Sequence, residues 1–227
     1  MTEVPVAEVD DAMSSRVRTQ QALALVAAVL LGLAAVLTAW SAYRESLTSD
    51  LVLKNYSEQQ ATIALANDTY SRADQQETLE TSLFLQWAVA ISGGNDGAAE
   101  YLVQVMSDEV YAAFDWWNQQ PEETGPPTPF APDNPYFADV PSQVLLAEGA
   151  ALLEEANALR LAAEEADAVS DRFDLAGVFF AVVLFVAGLT TVIQRRLIQV
   201  GFLTLSVIGL AAGIAVLVTT PTWSALT

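Results

Sequence analysis

The sequence predicts an all-α membrane protein, with three transmembrane helices and an extracytoplasmic helical bundle formed by extensions of the first and second spans. Three observations carry this expectation. The 227-residue chain is 53% hydrophobic, yet 28 Asp and Glu stand against 9 Lys and Arg, for a formal net charge of −19. The two properties occupy different stretches: residues 22–40, 175–193 and 197–219 hold no charged side chain, whereas residues 42–172 hold 23 acids and 5 bases. Seven of the nine prolines fall within residues 121–141, so helix breaking is concentrated in one loop and the chain elsewhere is free to coil.

A helix rises about 1.5 Å per residue and the hydrocarbon layer is about 30 Å thick, so about 20 apolar residues suffice to cross it. The spans are placed at 22–41, 175–193 and 197–219. The first is expected to be an uncleaved anchor, because its apolar run exceeds the roughly 7 to 15 residues of a secretory signal and no strongly basic region precedes it. Orientation follows from the basic residues: Arg16 and Arg18 precede the first span, and Arg195 and Arg196 lie between the second and third. Basic residues favour the cytoplasmic side. Residues 1–21 and the turn 194–196 are therefore predicted inside, and the domain 42–174 and the tail 220–227 outside.

Within 42–174 the pattern reads as helices interrupted twice. Residues 92–97, Ser-Gly-Gly-Asn-Asp-Gly, combine stop and restart signals, and 121–141 is the proline-rich loop. Between them, residues 98–117 read as one amphipathic helix with Tyr101, Leu102, Val105, Met106, Val110, Phe114 and Trp117 on its apolar face. A long helix is expected to start near Pro141, capped by Asp139, and to bury Val144, Leu145, Leu152, Leu153, Ala156, Leu159, Ala163, Ala166 and Phe173. With no breaker before the second span, it makes a rod of about 75 Å. The helix of the first span continues outward to the Tyr70 region, since nothing in residues 21–71 would stop it, and the two rods pack antiparallel. Residues 81–91 are too apolar for open solvent, so they pack in this bundle or meet a partner.

Composition excludes much chemistry. Without His or Cys there is no Ser-His-Asp triad, Cys nucleophile, disulfide, Cys/His zinc site or iron–sulfur cluster. The acidity argues against nucleic acid, which needs clustered Lys and Arg. No spacing of carboxylates singles out an acid and a base, so no catalytic residue is assigned and the chain is not expected to be an enzyme. Glu154-Glu155 and Glu164-Glu165 read as a solvated acidic face rather than a cation site, and no metal or cofactor is expected. The spans lack ionisable residues, which weighs against a charged conduction path through one copy.

What remains points to contacts. Ala24, Ala28 and Gly32 in the first span, and Gly209 and Gly213 in the third, have the spacing that lets helix backbones approach closely, within the three-helix unit or between subunits. Trp116, Trp117, Phe130, Tyr136 and Phe137 put five aromatics around the stiff loop, as a partner-recognition element or as a closure of the bundle's end. From Ser170-Asp171-Arg172-Phe173 through Leu184-Phe185-Val186-Ala187-Gly188 to Arg195-Arg196, the chain resembles a group of bacterial membrane proteins without established activity. The resemblance covers about residues 116–219; it implies one span, a helical extracytoplasmic region with a Trp and Pro-Phe loop, then a two-span hairpin, in the inner membrane. The expected role is assembly in the lipid bilayer, as an accessory or scaffold subunit with other membrane proteins or as a homo-oligomer with copies of itself. The alternatives are an extracytoplasmic sensor of an unidentified ligand and an oligomeric pore lined by Thr and Ser.

Overall fold

Long helices form where nothing in the sequence stops them, and the chain has two of unusual length. The computed structural model describes residues 6–121, 125–193 and 195–221, with side chains from residue 20 onward. Among the described residues α1 runs Val6–Ser92, α2 Asp96–Gln104, α3 Asp108–Asn118, α4 Pro141–Val192 and α5 Arg196–Thr219; a 3-10 turn at Phe137–Asp139 precedes α4, and there is no strand. α1 does not stop near Tyr70 but absorbs residues 81–91, because the first glycine or proline after Gly32 is Gly93. It ends there for a physical reason. Gly94 adopts φ +69°, a conformation open to glycine, while Gly93 N–H donates to Val89 O and Asn95 N–H to Ala90 O, both at 2.9 Å. Asn95 then caps α2, its Oδ1 accepting from Ala98 N–H at 3.2 Å.

The single helix expected over residues 98–117 is two helices. The chain breaks at Val105-Met106-Ser107, where Ser107 turns extended (φ −66°, ψ 159°) and its Oγ accepts from Val110 N–H at 3.3 Å. Asp108 and Glu109 fill the first turn of α3, where carboxylates favour the helix N-terminus. The break rotates the apolar face: Val110 and Phe114 are buried, whereas Tyr101 and Val105 are exposed.

By packing, the chain up to Asn55 with the chain from Ala162 onward forms one compact unit, and Tyr56–Leu161 forms a second. In the first, α1 and α4 run antiparallel: Ser49 Oγ lies 3.1 Å from Ser170 Oγ, and earlier on α1 Trp40 meets the later Phe173 edge-on at 5.9 Å. α5 folds back along α4, and Ala27, Leu30, Ala187 and Leu203 form a core shared by the three helices. Gln199 Nε2 secures the hairpin by donating to Ile193 O at 2.5 Å, satisfying a carbonyl that the end of α4 leaves open. Three helices are long and apolar enough to cross a membrane: those within Gln20–Ser92, Pro141–Val192 and Arg196–Thr219.

In the second unit α1 and α4 are again antiparallel, Glu80 pairing with Ser142 and Tyr70 covering Gly149. Burial here follows small residues. Ser142, Gly149 and Ala156 recur every seven positions, as Ala163 and Ser170 do in the first unit; on α1 Ala27, Ala34, Ser41 and Thr48 repeat likewise. A seven-residue period keeps one face of each helix on the other along its length. The expected stripe on α4 is corrected accordingly: Ala156, Ala163, Ala166 and Phe173 are buried, but Val144 and Leu153 are exposed. The expected cap also shifts. α4 starts at Pro141, so the cap position falls on Val140, and Asp139 belongs to the preceding 3-10 turn.

Candidate functional site

The cap that Val140 cannot supply comes from another helix. Glu80 of α1, 2% exposed, accepts from Ser142 N–H at 3.1 Å and from Ser142 Oγ–H at 2.6 Å. A carboxylate thus sits against the N-terminus of α4, where the helix dipole and an orphan amide both favour it. This fixes where the proline-rich loop ends.

The loop itself is held by a residue the sequence did not single out. Asn134, 3% exposed, donates through Nδ2 to Ala113 O at 2.9 Å and to Pro129 O at 2.7 Å, and its Oδ1 accepts from Tyr136 N–H at 3.0 Å. Its signal is chemical: an Asn followed by Pro in an apolar loop can bond its own backbone two residues on. Trp117 adds a second tie, its indole N–H donating to Pro126 O at 2.7 Å. The loop is therefore clamped onto α3.

These ties divide the five expected recognition residues. Trp117 and Phe130 join an aromatic cluster with Phe84 and Trp87 of α1 and Phe114 of α3. Its closest pairs are Trp87 with Phe114 (4.7 Å) and Phe84 with Trp117 (5.1 Å), both edge-on. Trp116 and Phe137 are half-buried and Tyr136 is exposed. Phe84, Trp87 and Phe114, absent from the expected set, are its other contributors; the first two lie in residues 81–91, whose apolar character was the available signal, and Phe114 lies on the apolar face expected for residues 98–117. A cavity of about 660 Å³ opens beside Trp87 and Trp117, with Asn118 and Gln120 on its wall; residues 122–124, its neighbours in sequence, lie outside the described residues.

A second concavity of about 860 Å³ runs along the last turns of α1 and the start of α2. Leu85, Val89, Ala90, Ala98 and Leu102 form its apolar floor, and Glu77 is its one charged wall residue. Residues 81–91 thus divide: Phe84 is buried inward, while Leu85, Val89 and Ile91 face out. Around them the charge is one-sided. Tyr56–Leu161 contains 17 acids and two bases, Arg72 and Arg160.

The small-residue positions also divide. A Cβ on Gly213 would fall 2.5 Å from Phe180 Cε1, and one on Gly209 2.9 Å from Val183 Cγ2, so both glycines admit side chains of α4. Ala24, Ala28 and Gly32 are exposed, with nothing within 4 Å of a Cβ on Gly32. Arg195 stands at the cap position of α5 and Arg196 in its first turn. Arg16 and Arg18 fall on α1, but their side chains lie outside the described residues. At the other end of α5, Arg172 Nη1 donates to Thr219 O at 3.2 Å, a cation on a helix C-terminus. Arg44 lies over the rings of Phe173 (5.4 Å) and Trp40 (6.0 Å).

Glu154, Glu155, Glu164 and Glu165 are exposed, and among the described residues no three acids gather as a metal site would require. No family model, curated protein or solved structure matches the chain, so its geometry alone carries the functional reading.

Proposed function

We propose that the chain is a non-catalytic integral membrane protein that acts by assembly, as an accessory or scaffold subunit or as a homo-oligomer. It would cross a bacterial inner membrane three times, with its N-terminus and the Arg195-Arg196 turn cytoplasmic and the second unit outside. The bacterial three-span group it resembles would be its family. Support for the orientation comes from the basic residues and from Trp40 and Tyr43, both exposed where the first uncharged run gives way to charge. Amphipathic rings favour that boundary.

The observation that carries the assembly reading is the apolar surface left open on the second unit. Leu79, Leu85, Val89, Ile91, Tyr101 and Val105 are all exposed on the last turns of α1 and on the chain that follows. Leu85 and Val89 line the groove along α1, and Ile91 lines the cavity beside Trp87 and Trp117; apolar side chains left open on an otherwise acidic unit are places for a partner. Two of the span hydroxyls, Thr190 and Ser206, are buried among the three helices rather than lining an outer face, and each donates to a carbonyl of its own helix.

The test is the native mass and protein composition of the particle extracted in mild detergent from its own membrane. Stoichiometric foreign subunits, or several copies of this chain, are expected. A lone monomer removes the proposal.

A further inference from the structure

We propose that the groove between the last turns of α1 and the start of α2 receives a basic amphipathic helix from a partner protein. This rests on the assembly reading and names its partner's chemistry. Length comes first. The groove follows α1 from Glu77 to Gly93, about 24 Å by the helical rise, which matches about four turns of a helix laid along it. Its floor of Leu85, Val89 and Leu102 offers apolar anchor sites at the spacing by which a helix presents an apolar face.

Hydrogen bonding selects a helix over an extended strand. Four polar side chains on the groove wall bond within their own chain segment: Thr78 Oγ1 donates to Asp74 O at 2.8 Å, Gln86 Nε2 donates to Ser82 Oγ at 2.9 Å, and Asn95 Oδ1 accepts from Ala98 N–H at 3.2 Å. An extended peptide would bury backbone amides there with few partners. A helix brings its own.

Charge selects a basic occupant over a second copy. The unit carries 17 acids against two bases, so two copies meeting through this face would repel. Glu77 is the one ionisable side chain on the wall. Lys or Arg on the flanks of the occupant would complement Glu77 and the acidic unit around the groove.

The test uses the full chain in zwitterionic phosphatidylcholine nanodiscs, with empty discs as blank. Two fluorescent 16-residue helical peptides share one Leu face, and one has Lys where the other has Glu; binding is read by anisotropy. The Lys peptide is expected to bind and the Glu peptide not to. The double variant Leu85→Gln with Val89→Gln is expected to weaken binding at least about tenfold by removing the apolar floor. Leu65→Gln, exposed on α1 outside the groove, is expected to leave it unchanged. Because Leu85 and Val89 are exposed, the variants keep their helicity, which circular dichroism checks. No binding of the Lys peptide above the blank, equal binding of both peptides, or full binding by the double variant overturns the inference. Those outcomes leave assembly to the native mass, and a lone monomer there removes assembly whatever the peptides do.

Discussion

The two units are built on the same pair of helices and differ in what they turn outward. In each, α1 and α4 run antiparallel and bury small residues, Ser41, Thr48 and Ser170 in one, Ala66, Ala73 and Gly149 in the other. The exteriors diverge. In the first unit the exposed positions of the uncharged runs include Leu25, Val29, Val182, Phe185 and Ile208, while in the second the outward positions of α1 and α4 include Asp68, Asp74, Glu77, Glu154 and Glu155. Interior pattern sets the helix pairing, and exterior chemistry sets the medium. Where the two conflict, as at Leu85 and Val89, the surface is available to a partner.

If interiors set the pairing, the largest effects should come from changes that enlarge or empty them. Gly213→Leu heads the order, because even its Cβ would overlap Phe180, which is fully buried and has no room to yield. A loss of about 3 kcal/mol is expected for the full-length protein unfolded with SDS in mixed micelles, with Gly213→Ala losing less. An unchanged unfolding midpoint would break the comparison in the first unit. In the second unit Glu80→Ala is expected to cost about 2 kcal/mol, since it strands the Ser142 N–H in a buried site. Glu80→Gln, which keeps an acceptor, should recover part of that by the same denaturation measurement. Asn134→Ala comes next, at about 1.5 kcal/mol. Two of the groups it strands, Ala113 O and Pro129 O, are carbonyls, which tolerate missing partners better than amides do. Limited proteolysis should then cut the 125–140 loop faster while α4 stays protected.

The exterior was more legible in the sequence than the interior. A bilayer demands uncharged runs, and the three runs show at once; the extended helices follow from the absence of Gly and Pro, and Gly93-Gly94-Asn95 announces its own stop and restart. The interior was harder because core positions are sought among large residues. Leu153 and Val144 drew attention on α4, yet close helix pairing buries Gly149 and Ala156 instead, and the seven-residue period of small residues was the signal that identifies them. Ser107-Asp108-Glu109 carried a capping signal that the apolar period of residues 98–117 obscured. Glu80 and Asn134 act through long-range bonds, over 62 and 21 residues. No local pattern encodes such a pairing. The expected aromatic site was part visible: Trp117 and Phe130 pack where the loop closes, but their partners Phe84 and Trp87 come from α1.

The smallest expected effect on the fold sharpens the comparison most. Ala24, Ala28 and Gly32 carry the same signature as Gly209 and Gly213, small residues at helical spacing, yet all three are exposed, with Ala24 at the edge of a small cavity beside Ala27, Thr190 and Leu203. Replacing Ala28 and Gly32 with Leu should change unfolding by less than about 0.5 kcal/mol, because Ala28 is exposed and a Cβ at Gly32 meets nothing. If these residues instead serve assembly, the same double variant should reduce the native mass of the detergent-extracted particle, since Leu there holds two backbones apart. A particle of unchanged mass shows that the α1 ridge faces only lipid and moves assembly to the second unit alone. Loss of mass with an intact unfolding midpoint separates the two uses of one signature, inward on α5 for folding and outward on α1 for association.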